Sequence, residues 1–242
     1  MRVAIAITLL VWAAPVLRAQ SSDGECRLGA YYLARGDFAR ALTTLDSYVS
    51  DRSSPASDLN LRGIAEMMSG QPDRAAETFA LAMKKDPDSQ QARFNHGLAL
   101  LKSKSFAAAI PDFASVYEKA SSAGLKARAA YHLALAECGL LRYDEATKWL
   151  EFAVRLDPSI DDAWLFLGVA YEHQNRFQQA GRAYRVYLDR HPDSIVAMLR
   201  FGVAALRDGA IDTAKSYLRK VVDRAPSSVE SAEARKYLVM WE

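Results

Sequence analysis

An alanine recurs along this 242-residue chain at Ala41, Ala75, Ala109, Ala146, Ala180 and Ala214, with spacings of 34, 34, 37, 34 and 34. Twelve residues before each stands a small residue: Gly29, Gly63, Gly97, Ala134, Gly168 and Gly202. Four residues after each stands a large apolar one: Leu45, Phe79, Phe113, Leu150, Tyr184 and Leu218. Twelve residues after four of the alanines comes a proline, at Pro87, Pro158, Pro192 and Pro226. A period of this length marks an array whose units cannot bury their apolar faces alone and must stack on their neighbours.

Each unit reads as two amphipathic helices. In the fifth, Trp164, Leu167, Gly168 and Tyr171 fall at i, i+3, i+4 and i+7, one face of a helix. Asn175 and Arg176 interrupt, and Phe177, Ala180, Ala183, Tyr184 and Tyr187 repeat the pattern on a second helix. Small residues let paired helices approach closely, and the bulky residues fill the space beyond them. The proline ends the second helix because it breaks the hydrogen-bond ladder and restricts the residue before it.

The phrase Trp164-x-x-Leu167-Gly168-x-x-Tyr171, followed by Ala180, Tyr184 and Pro192, resembles the tetratricopeptide repeat. That resemblance implies an all-α, right-handed superhelical solenoid of about six helix-turn-helix repeats, at about 22–55, 56–89, 90–123, 127–160, 161–194 and 195–228. Ser227-Ser228-Val229-Glu230 predicts a capping box that opens a final helix over about 228–240, closing the last apolar face. The three extra residues near Ser121-Ser122-Ala123-Gly124 predict a longer helix, a looser joint or a change in pitch. Pro111 predicts a kink inside a second helix, whereas Pro72 falls at a first turn, where it is tolerated.

The repeats begin only after a leader. Met1-Arg2 precedes an uncharged apolar run from Val3 to Leu17, then Arg18-Ala19-Gln20. This pattern reads as a secretory signal peptide over 1–19, cleaved after Ala19 and leaving the repeat domain 20–242. The run is shorter than the ~20 residues that span a bilayer, although retention as an anchor stays open. The expected location is exported, periplasmic or secreted, and resemblance to exported repeat proteins suggests a bacterial envelope.

The full chain carries a formal charge of +2, and removal of 1–19 takes away Arg2 and Arg18 but no acid. The remainder is formally neutral, so nucleic acid is not an expected partner. No helix-borne zinc motif, nucleophile elbow, phosphate loop or C-x-x-C pair is present, so no enzyme activity, metal or cofactor is expected. His96, His132, His173 and His191 read as partly exposed polar positions, with a shared His132–His173 site as the sharper alternative. Cys26 and Cys138 read as reduced thiols, with Cys26 able to bridge two chains near the mature terminus. Asp86-Pro87-Asp88 and Asp161-Asp162 read as helix stops and starts rather than calcium ligands.

Function is therefore expected on the first helices, which in the tetratricopeptide family line a concave groove. Positions two, five, nine and twelve of each unit share one stripe. The fifth and ninth are Cys26 and Ala30, Asn60 and Ile64, Phe94 and Leu98, Tyr131 and Leu135, Leu165 and Val169, Leu199 and Val203. The twelfth adds Leu33, Met67, Leu101, Cys138, Glu172 and Leu206. Two outcomes are open. Neighbouring first helices bury this apolar stripe against each other, or it stays exposed and takes an apolar peptide or helix.

The candidate site comprises Asn60, Ile64, Met67, Phe94, Asn95, Leu98, Arg128, Tyr131, His132, Leu135, Leu165, Val169 and Leu199. A family variant that clamps a terminal carboxylate is matched by Asn95 and Arg128, with His132 standing where a base belongs. Asn60 and Ile64 stand where that clamp needs lysine and asparagine. The reading is a non-enzymatic protein-interaction scaffold. Its rivals are self-association, with another copy filling the groove, and carriage of a small apolar ligand.

Overall fold

The computed structural model describes residues 24–49 and 53–239, and the predicted leader lies outside them. Among the described residues there are thirteen α-helices and no strand. They are α1 (Gly24–Ala34), α2 (Phe38–Tyr48), α3 (Ala56–Met68), α4 (Pro72–Lys85), α5 (Gln90–Lys102), α6 (Phe106–Lys119) and α7 (Ala123–Gly139). There follow α8 (Tyr143–Leu156), α9 (Asp161–His173), α10 (Phe177–Arg190), α11 (Ile195–Arg207), α12 (Ile211–Arg224) and α13 (Val229–Leu238). The helices form two compact units, divided between Ser121 and Ser122. The first holds the pairs α1–α2, α3–α4 and α5–α6. The second holds α7–α8, α9–α10 and α11–α12, with α13 packed on α11 and α12.

The 34-residue period has a direct structural content. A first helix of 13 residues, a three-residue turn, a second helix of 14 and a four-residue linker make one repeat, as in Asp161–Ser194. Pro87, Pro158, Pro192 and Pro226 each take the second place of such a linker. The three extra residues go into a longer helix: α7 has 17 residues. Helix α6 continues from Phe106 to Lys119 through Pro111, and Pro72 is the first residue of α4.

Every turn inside a repeat closes the same way. The residue after the turn's centre donates its N–H five residues back, as Gln71 does to Glu66 O at 2.9 Å and Arg142 to Glu137 O at 2.9 Å. The central residue takes positive φ, at Gly36, Gly70, Lys104, Leu141, Asn175 and Gly209. Side-chain oxygens of Asp37, Ser89, Ser122, Ser194 and Ser228 cap α2, α5, α7, α11 and α13. At α13 the predicted box is corrected by one residue. Ser228 is the N-cap and accepts from Ser231 N at 3.0 Å, so Glu230 sits in the second helical place and cannot reciprocate.

The small and large positions of the repeat meet each other. Phe79, Phe113 and Tyr184 are fully buried against Gly63, Gly97 and Gly168, and Leu45 and Leu218 lie against Gly29 and Gly202. The recurrent alanines, from Ala41 to Ala214, are fully buried as well. This contact holds each pair together.

Candidate functional site

In the first unit the predicted stripe is closed except at Leu101, which is half-buried. Asn60, Ile64 and Met67 on α3 and Phe94, Asn95 and Leu98 on α5 are 5% exposed or less. The first helices of neighbouring repeats touch, α1 with α3 and α3 with α5. Asn95 Nδ2 donates to Asn60 Oδ1 at 3.0 Å, joining two repeats through a buried amide pair. Phe94 meets the Phe113 ring edge-on at 5.4 Å. The amide that matched a carboxylate clamp is thus engaged within the fold.

In the second unit the stripe is open in part. Arg128, Tyr131, Leu135 and Cys138 on α7 are half-buried, as are Leu165, Phe166, Val169 and Glu172 on α9. On α11, Leu199 and Val203 are buried while Arg200 and Leu206 are half-buried. Two contacts bind the three helices into one surface. Tyr131 and Phe166 meet as an edge-to-face pair at 6.2 Å. Arg200 donates to Glu172 Oε2 at 3.2 Å, and the Tyr184 hydroxyl donates to the same oxygen at 2.7 Å. At the far end, Glu172, His173, Asn175, Phe177, Val203, Arg207 and Tyr237 line a pocket of about 290 Å³.

Burial decides the electrostatics here. His132 is 3% exposed, a correction to its reading as a partly exposed position. Desolvation, with the Arg128 charge one turn away, pushes its pKa down to about 3, so the imidazole is neutral and cannot supply the missing base of a clamp. Desolvation also lowers the Arg128 pKa against the opposing pull of Asp157, and it raises that of the Tyr131 phenol. The Cys138 thiol is raised to about 11, by burial first and Glu137 second, so it stays protonated and unreactive. Cys26 is fully buried, which removes it as a bridge between chains. His173 is exposed and stacks flat on Tyr143 at 3.9 Å, whereas the ring of His132 is buried. Among the described residues no cluster of three metal-ligating side chains exists, and no helix is long and apolar enough to cross a membrane.

Several contributors escape a reading by the fifth and ninth positions alone. Phe166 and Arg200 stand one residue further on, at the sixth position, which also holds Asn95 and His132. The linkers are pinned too. Arg190 on α10 donates to Pro158 O at 2.6 Å and pairs with Asp161 at 2.5 Å, while Trp164 Nε1 donates to the same carbonyl at 3.0 Å. Arg224 on α12 repeats the arrangement with Pro192 O at 2.8 Å and Asp193 at 2.6 Å.

Comparison with known proteins accords with this geometry. Solved structures similar to the chain include MamA 41-end from Desulfovibrio magneticus RS-1, 27% identical, covering 72% of this chain and 100% of that one, with a TM-score of 0.63. PilF of Pseudomonas aeruginosa is 19% identical and covers 93% of this chain and 99% of its own, with a TM-score of 0.75. YrrB, described as a TPR protein with an unusual peptide-binding site, is 16% identical over 79% of this chain and 97% of its own, with a TM-score of 0.65. No curated protein matches the chain in sequence. One family model of the tetratricopeptide repeat matches residues 26–82, 60–125 and 131–195, and a second such model matches 196–228. With most of its length accounted for in this way, the chain belongs to the tetratricopeptide repeat family, whose fold typically serves as a scaffold for protein–protein contact.

Proposed function

We propose that this protein is exported and acts as a non-enzymatic scaffold that takes an apolar peptide or helix on α7, α9 and α11 of its second unit. One observation carries the reading. Tyr131, Leu135, Leu165, Phe166 and Val169 are only half-buried there, whereas their counterparts Asn60, Ile64, Phe94 and Leu98 are buried. An apolar surface left partly open costs solvation free energy that a partner recovers. Three or four anchors at roughly 1.5–3 kcal/mol each give a gross gain of about 5–12 kcal/mol. Association costs of ~4–15 kcal/mol consume most of it, so a single motif binds at micromolar strength or weaker and gains from multivalency. The peptide-binding site named for YrrB belongs to that protein and lends the reading only a precedent for this fold.

A photocrosslinking side chain at Leu165 tests the site in the native cell. The expected result is a discrete protein adduct that is absent when the same group replaces exposed Gln178, and absent again when Val169→Asp accompanies it. Equal labelling at both positions overturns the site, and an adduct of twice the chain mass assigns the surface to a second copy instead. Export rests on the leader pattern. An N-terminus beginning at Gln20 in the envelope or medium supports it, and an intact Met1 in the cytoplasm refutes it.

A further inference from the structure

Helix α1 carries an exposed apolar face, distinct from the peptide stripe. Inside each unit the second helix of one repeat packs on the first helix of the next: α2 on α3, α4 on α5, α8 on α9 and α10 on α11. The tenth position of the repeat lies in that contact. It is alanine at Ala65, Ala99, Ala170 and Ala204, each fully buried. At the seventh position Leu167 and Phe201 are 3% exposed. The backbone of α10 at Gly181 comes so close to Phe201 that a Cβ there would lie 3.6 Å from its ring.

In α1 the same two positions hold Leu28 and Tyr31, which are 40% and 51% exposed. Where these repeats carry alanine, the first of the described helices carries a tyrosine. Its ring is held in place: Arg35 donates to the Tyr31 hydroxyl at 2.8 Å, its guanidinium lies 5.5 Å from the ring centroid, and Tyr32 packs edge-on at 5.7 Å. At 3.6 residues per turn, Glu25, Leu28, Tyr31, Tyr32 and Arg35 fall within an arc of about 120° on one helix face. An acid therefore opens the stripe, a base closes it, and apolar and aromatic groups lie between.

We propose that this face of α1 docks on the same face of a second copy, with the two helices antiparallel about a two-fold axis near Ala30. That pairing sets Glu25 of each chain opposite Arg35 of the other and Leu28 opposite Tyr32. Such a surface is self-complementary, as a two-fold interface requires. A parallel pairing would set like charge on like charge. An 11-residue helix spans about 16 Å, so the contact is at the small end of specific interfaces and forms at high protein concentration.

Sedimentation of the full purified chain across a concentration series reaching about 200 µM tests this. The expected result is a shift from the mass of one chain to that of two. Arg35→Glu, which faces acid with acid, weakens the association at least about tenfold, and Glu25→Lys with Arg35→Glu restores it to within about threefold. Tyr31→Ala, which installs the residue every other repeat carries, abolishes it while helical circular dichroism is unchanged. A chain that stays monomeric, a dimer indifferent to Arg35→Glu, or a failure of the double reversal to restore it overturns the proposal. So does a dimer lost on Leu165→Asp but kept in Tyr31→Ala, which would move the contact to the peptide stripe.

Discussion

Gly63 on α3 lies so close to the Phe79 ring on α4 that a Cβ on the glycine would stand 2.6 Å from Phe79 Cε1. Phe79 is fully buried and has nowhere to retreat. The fourth repeat solves the same problem differently, with Ala134 paired to the smaller Leu150, both essentially unexposed.

Gly63→Ala is therefore expected to destabilise the protein by about 1–2 kcal/mol. The overpacking cost of about 1–3 kcal/mol outweighs the gain of up to about 1 kcal/mol in helix propensity. Adding Phe79→Leu, which reproduces the Ala134–Leu150 pair, recovers part of the loss. Denaturant midpoints of the single and double variants measure this, and equal midpoints for wild type and Gly63→Ala would remove steric fit as the basis of the ladder.

Leu141 occupies the centre of the α7–α8 turn with φ of 60° and a side chain 71% exposed. Left-handed backbone costs a non-glycine residue roughly 1–2 kcal/mol, and this side chain contributes little packing in return. Leu141→Gly should raise stability by about 1 kcal/mol, whereas Gly70→Leu, the reverse change at the equivalent turn (φ 82°), should lower it by a similar amount.

The neutral His132 makes stability depend on pH. Its folded pKa of about 3 lies below the ~6.5 of an unfolded histidine, so between these values the unfolded chain binds more protons. The contribution is fully present above pH 6.5 and is lost as pH falls towards 3, at up to about 1.4 kcal/mol per pH unit. Unfolding free energies at several pH values should show this slope in wild type, and a shallower slope over the same window in His132→Asn.

Arg190 ties the linker between two repeats to the end of a helix. Arg190→Ala should cost about 1–2 kcal/mol, the sum of a backbone hydrogen bond and a partly exposed ion pair. Asp161→Asn leaves the bond to Pro158 O in place and should cost less. Thermal unfolding of the two variants separates the contributions.

Much of this was written in the spacing of residues. The alanine, glycine and proline ladders determined the helix pairs, the 34-residue period and the contact between Gly63 and Phe79, because a repeat shows each spatial neighbour many times over. The three-residue insertion predicted a longer helix, a looser joint or a change in pitch there, and α7 shows the longer helix. The site was less legible. Phe94 and Leu165 share one register position, yet the first is fully buried and the second only half-buried. Nothing local in the chain separates them, since solvent exposure depends on packing between segments distant in sequence. His132 was indistinguishable from a surface histidine for the same reason.

By itself the order of amino acids determined which residues face one another across each helix pair, since 3.6-residue periodicity and steric size act over short chain distances. Only the tertiary structure decided which apolar positions stay open to solvent, at Tyr131, Leu165 and Tyr31, and which close, at Phe94 and Leu98. Exposure is a property of packing between distant segments, which the local spacing of residues does not encode.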